Sequence, residues 1–124
     1  MLFLLKGTVH MRFFVFWRKK FGFARDGILI AWKMEKSIRV MAIFLVMIVS
    51  VALATLSLTR VLIIAGSWMV VIIMELINSA LERIIDMIQP RLHGIAKECK
   101  DMMAAAVTLA ALCAIVVIVA MFVV

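Results

Sequence analysis

Charge is scarce in this chain, proline nearly absent and cysteine rare. Only 17% of the 124 residues are charged, one residue is proline and two are cysteine. A soluble domain is about 25% charged and about half apolar. At 68% hydrophobic, this chain is not a water-soluble globule. Cys99 lies in a charged loop and Cys113 deep in an apolar run, so the two should sit far apart and form no disulfide. There is no Gly-rich P-loop, no dinucleotide fingerprint, no protein-kinase catalytic loop and no Cys/His metal spacing. A nucleotide, if one binds, must be held by metal-bridged phosphates and a few cations. Internal repeats and low-complexity stretches are also missing.

What the sequence does have is long apolar runs. Val40–Leu58 is nineteen residues without a charge, Met102–Val124 is twenty-three, and Val61–Met74 is fourteen, ending at Glu75. About twenty apolar residues span a bilayer core as a helix. The expected fold class is therefore an all-α membrane protein: an N-terminal amphipathic surface helix followed by three transmembrane helices. The expected single membrane domain, 1–124, divides into an interfacial segment 1–38, spans at 39–58, 60–89 and 96–124, and a cytoplasmic loop 90–95. Ser57-Leu58-Thr59 should form a tight turn with Thr59 as N-cap, and Pro90 should stop the second span.

Up to Arg39 there are nine basic residues against Asp26 and Glu35, which accounts for the whole net charge of +7. They are interleaved with Phe13, Phe14, Phe16, Trp17, Phe21, Phe23 and Trp32, directly before a span. That pattern fits a segment lying on an anionic membrane surface rather than one binding nucleic acid. A hinge is expected near Gly22 and Gly27. Lys6 and His10 interrupt the first apolar run and no small-residue cleavage site follows, so no cleaved signal is expected. Basic residues crowd the N-terminus and the second loop, while the first loop carries only Arg60. The positive-inside rule then predicts a cytoplasmic N-terminus and an outside C-terminus.

The second span carries the chemistry. Glu75, Asn78, Glu82 and Asp86 are spaced 3, 4 and 4 apart, and so form one helix stripe with Ser79 beside it. Leu76, Ile77, Leu81, Ile84, Ile85 and Ile88 cover the opposite side. At 1.5 Å per residue Glu75 lies roughly 21 Å into the helix from Val61 and Glu82 roughly 31 Å in. Glu75 is thus inside the cytoplasmic part of the hydrocarbon and Glu82 at the inner interface. A carboxylate in the membrane costs about 2.5–3.5 kcal/mol on the lenient insertion scale, so it is paired or functional. His93, Lys97, Lys100 and Asp101 extend the stripe, and Glu35 faces it from before the first span. Such a group of acids suits metal ions or a proton.

The run Glu75-Leu-Ile-Asn78-Ser79-Ala-Leu-Glu82-Arg-Ile-Ile-Asp86, followed by His93 and by Lys100-Asp101-Met102, resembles the signature of the small bacterial integral-membrane diacylglycerol kinase family. That family also includes the undecaprenol kinases. Thr59-Arg60-Val61-Leu62 and Ala31-Trp32, Glu35 and Arg39 fit the same pattern, and the likeness runs from about Gly22 to Val124. It implies a homotrimer in the bacterial inner membrane that transfers the γ-phosphoryl of Mg-ATP to a lipid hydroxyl. By the same resemblance Glu75 is the general base, supported by Asn78, and Glu35 and Glu82 hold magnesium. Phe23, Glu35, Glu82, Asp86, His93, Lys100 and Asp101 contact the nucleotide. Trp32, Arg39, Glu75 and Ala104 meet the lipid. The chain departs from the family's diacylglycerol kinases where they have a tyrosine (Phe23 here) and a Gly-Ser pair (Met103-Ala104 here).

Ala104 resembles the undecaprenol kinases, whereas Thr59-Arg60-Val61 resembles the diacylglycerol kinases, so two lipid alcohols stay open. From a different class, a small proton-coupled exporter can also be this short, but with four spans and a lone glutamate in the first. A purely structural subunit would leave the acids replaceable.

Overall fold

The computed structural model describes residues 2–88 and 93–123, with side chains from Val15 to Ile88 and from Gly94 to Val123. All of its regular structure is helical: α1 Leu2–Met34, α2 Lys36–Thr55, α3 Leu58–Ile88 and α4 His93–Val123. The last three are long and apolar enough to cross a membrane. Of the expected loop 90–95, residues 90–92, Pro90 among them, lie outside the described residues, whereas 93–95 already belong to α4, which starts three residues before the expected 96.

The chain forms two compact units, Met1–Met34 and Glu35–Val124. In the first, α1 runs unbroken through Gly22 and Gly27, which corrects the expected hinge. Neither glycine takes a positive φ. A helical glycine costs only about 1 kcal/mol relative to alanine, too little to break a helix with apolar and basic residues on either side. The helical path ends instead at Glu35, whose φ of −105° and ψ of 114° are extended. Along α1 the Lys20 ammonium lies 4.8 Å from the Phe16 ring centroid, Trp17 packs by Phe21 at 6.0 Å, and Arg25 pairs with Asp26 at 3.0 Å.

In the second unit α3 lies between its neighbours and packs on both α2 and α4. Leu56 and Ser57 alone separate α2 from α3. The Leu56 N–H bonds back to the Ala52 carbonyl at 2.8 Å, and the Ser57 carbonyl accepts from the Val61 N–H at 3.1 Å. Thr59 therefore lies inside α3 rather than capping it, because the turn closes one residue pair earlier than expected. Next to the turn Ala52, Val61 and Ile64 form a buried core, with Ile48, Val49, Leu56, Ile118 and Met121 packed on it.

Further along, Trp68 stacks on Phe44 at 5.8 Å and donates its indole N–H to the Met41 carbonyl at 3.0 Å. Arg60 reaches the Met121 carbonyl at 3.4 Å. The C-terminal end of a helix carries partial negative charge, so a cation there is favoured. Cys99 lies within α4 rather than in a loop, and it and Cys113 are both free and exposed. Most large apolar side chains of the three spanning helices, such as Ile43, Met47, Leu62, Ile73, Leu109 and Val116, face outward. In water that would be costly; in a bilayer it is the favoured surface.

Candidate functional site

At 1.5 Å per residue α3 is about 46 Å long, whereas the hydrocarbon core is about 30 Å. Its surplus is the end that carries the acids. Asn78 and Ser79 are the buried polar residues among those described, and Asn78 is 8% exposed. One turn toward either end, Glu75 and Glu82 are half-buried, and Asp86 is exposed. The stripe read from the 3-4-4 spacing is thus most sheltered at Asn78 and opens to solvent at Asp86.

Three polar contacts organise it. Asn78 Nδ2 donates to Glu82 Oε1 at 3.1 Å, one helical turn on. Asn78 Oδ1 is buried and has no partner among the described residues. An orphan acceptor of this kind costs about 1–3 kcal/mol, so the amide is set to receive a donor. Lys100 of α4 pairs with Asp86 of α3, tying together the overhanging ends of the two helices. Arg83 Nη2 donates to Glu35 Oε1 at 2.7 Å, joining α3 to the residue that opens α2.

Glu75 takes part in no hydrogen bond or ion pair among the described residues. Its level follows from the contacts on either side. Trp68 meets Met41 and Arg83 meets Glu35, so Glu75 is level with the α2 stretch between them, which includes Arg39. Arg39, Asp101 and Ala104 are exposed, the last two on α4. Consecutive helix residues point about 100° apart, which explains why Lys100 turns to Asp86 while Asp101 does not join it. Phe23 and Trp32 are exposed on α1, in the other unit. His93 begins α4, and its side chain lies outside the described residues.

Arg83 was legible only as one more positive charge near the second loop. It stands four residues after Ser79, on the flank of the stripe. That its partner is 48 residues away depends on how α2 lies against α3.

The profile of the prokaryotic diacylglycerol kinase family matches residues 22–122. The chain belongs to that family. The diacylglycerol kinase of Escherichia coli K12 is 35% identical over 100 residues, covering 79% of this chain and 81% of that protein. The diacylglycerol kinases of Escherichia coli O157:H7 and Shigella flexneri match to the same extent. This prokaryotic diacylglycerol kinase family member is accordingly a membrane-embedded kinase, and the exporter reading is set aside.

Kinases of this family imply ATP and a divalent metal. Among the described residues no three His, Cys, Asp or Glu side chains converge into a ready-made metal cage. Magnesium is ordinarily held by one or two carboxylates with phosphate oxygens and water. Glu35 and Glu82 are carboxylates of the type such binding uses, the first accepting from Arg83 and the second from Asn78.

Proposed function

We propose that this kinase phosphorylates diacylglycerol in the bacterial inner membrane, consuming Mg-ATP and releasing phosphatidic acid. The observation that carries the reading is the acid stripe of α3: a half-buried Glu75 within the apolar helix, without a partner among the described residues, and Glu82 two turns nearer the exposed Asp86. Two turns are about 10 Å, which sets the base beside a lipid hydroxyl at the headgroup level and the second carboxylate nearer the water from which ATP arrives.

In this reading the Glu75 carboxylate accepts the proton of the lipid hydroxyl as its oxygen attacks the γ-phosphorus and the bond from that phosphorus to the bridging oxygen breaks, releasing ADP. Asn78, gripping Glu82 with Nδ2, offers its unpartnered Oδ1 to a donor at the same level. Glu35 and Glu82 would hold the metal, which would supply neutralisation of the triphosphate charge. Lys100 is poised beside Asp86 to meet phosphate oxygens, since phosphoryl transfer requires mainly positioning and charge neutralisation. Asp86, His93, Asp101 and Phe23 complete the nucleotide contacts, and Trp32, Arg39 and Ala104 those to the lipid. The basic N-terminus and second loop are cytoplasmic and the C-terminus outside, which puts the solvated end of the stripe on the ATP side. The assembly is a homotrimer.

The test supplies labelled ATP to the purified protein with diacylglycerol and undecaprenol in parallel. Phosphatidic acid as the main product is expected. Label passing chiefly to undecaprenol would keep the kinase and the site but replace the lipid, as Ala104 would then explain.

A further inference from the structure

The two carboxylates assigned to metal are not guarded alike. Glu82 Oε1 accepts from a neutral amide at 3.1 Å. Glu35 Oε1 accepts from the Arg83 guanidinium at 2.7 Å. The Arg83 and Glu35 side chains retain 41% and 27% exposure, so neither is fully hydrated. Glu35 is also unattached to its own helix: it stands at the N-cap position of α2 with extended backbone and makes no side-chain cap bond. Its carboxylate is instead directed across to α3. A half-buried carboxylate beside an apolar span needs a counter-charge, and Arg83 provides it.

A divalent ion and a guanidinium seek the same carboxylate lone pairs, and each repels the other at close range. We infer that Arg83 is a positioning residue that fills the cation place at Glu35 until the metal arrives, so that loading exchanges a guanidinium for a divalent ion on one carboxylate. This rests on the reading of Glu35 as a metal ligand. In the metal-free protein the pair holds Glu35 against α3; it also sets a threshold that metal must exceed to bind.

The full-length protein in detergent micelles, without nucleotide, is titrated with Mn2+ and free ion is read by electron paramagnetic resonance. Arg83→Gln should bind Mn2+ up to about fivefold more tightly than the unsubstituted protein, the range of a partly exposed ion pair. Arg83→Lys, which keeps the charge, should stay near the original affinity, and Glu35→Gln should bind more weakly. Thermal midpoints give a second readout. Arg83→Gln should melt lower in chelator and gain more from added Mg2+ than the unsubstituted protein, since a ligand stabilises in proportion to its affinity. A merely structural pair would lower the midpoint alike with and without metal. If Glu35→Gln weakens Mn2+ binding but Arg83→Gln does not tighten it, the exchange is overturned and the metal assignment stands. If Glu35→Gln leaves Mn2+ affinity unchanged, Glu35 is not a ligand and both readings fall. Arg83→Met, neutral and of similar length, carries the same expectation should Arg83→Gln not fold.

Discussion

Glu75 and Glu82 are both half-buried carboxylates on α3, yet they have different company. Glu82 is held by Asn78, whereas Glu75 has no partner among the described residues. A carboxylate left unpaired inside a membrane span is retained at a cost, and the use proposed for it here is proton abstraction. Glu75→Gln keeps the shape but cannot accept the proton. Its kcat should fall by roughly 10²–10⁴, the usual loss of a general base, with little change in the KM for ATP. Near-normal turnover of that variant would remove Glu75 from the chemistry. Glu82→Gln should act on a different quantity: the magnesium concentration needed for half-maximal activity should rise. A magnesium dependence identical to that of the unsubstituted enzyme would exclude Glu82 as a ligand.

At the level of helices, the difference between α1 and the spanning helices lies in where the chain breaks. Gly22 and Gly27 look like a break and are not one; Glu35 looks like an ordinary helix former and is the break. The open space around both glycines, with nothing within 4 Å of an added Cβ, supports a further expectation. Gly22→Ala and Gly27→Ala should each leave far-UV helicity intact and raise stability by up to about 1 kcal/mol, the glycine–alanine propensity difference. Loss of helicity in either variant would mean that α1 bends there when it works. The α2–α3 hairpin depends on specific contacts rather than on apolarity alone, since α4 is more apolar than either of its helices. Trp68 on Phe44 and Met41 sets one point of the register, and Arg83 on Glu35 sets another.

For the whole molecule, one chain is not enough to enclose its own acids. Glu75 remains half-buried rather than covered, and a carboxylate facing hydrocarbon costs several kcal/mol. The small residues Ala104, Ala105, Ala106, Ala110 and Ala111 on α4 would let another helix approach closely. A neighbouring subunit can then complete the site. Mixing inactive Glu35→Ala and Glu75→Ala subunits should restore part of the activity, because a mixed oligomer can contain an intact shared site. The measurement is lipid phosphorylation by co-assembled mixtures. Persistent inactivity, with each variant still oligomeric, would confine the site to a single chain.

Apolar runs of fourteen to twenty-three residues leave the backbone no way to satisfy its hydrogen bonds in lipid except as helices, and so three spans were legible from composition. The acid stripe was legible too, because residues 3 and 4 apart share a helix face whatever surrounds them. Both are local properties. Which side chains meet across helices is not local. The Glu35–Arg83, Asp86–Lys100 and Trp68–Met41 contacts span 48, 14 and 27 residues. They depend on the rotation and register of antiparallel helices whose lipid-facing surfaces are uniformly apolar and carry no signal of their own. The same reason explains the turn at Leu56-Ser57, where packing of Ala52 on Val61 and Ile64 closed the hairpin ahead of the capping residue that spacing suggested.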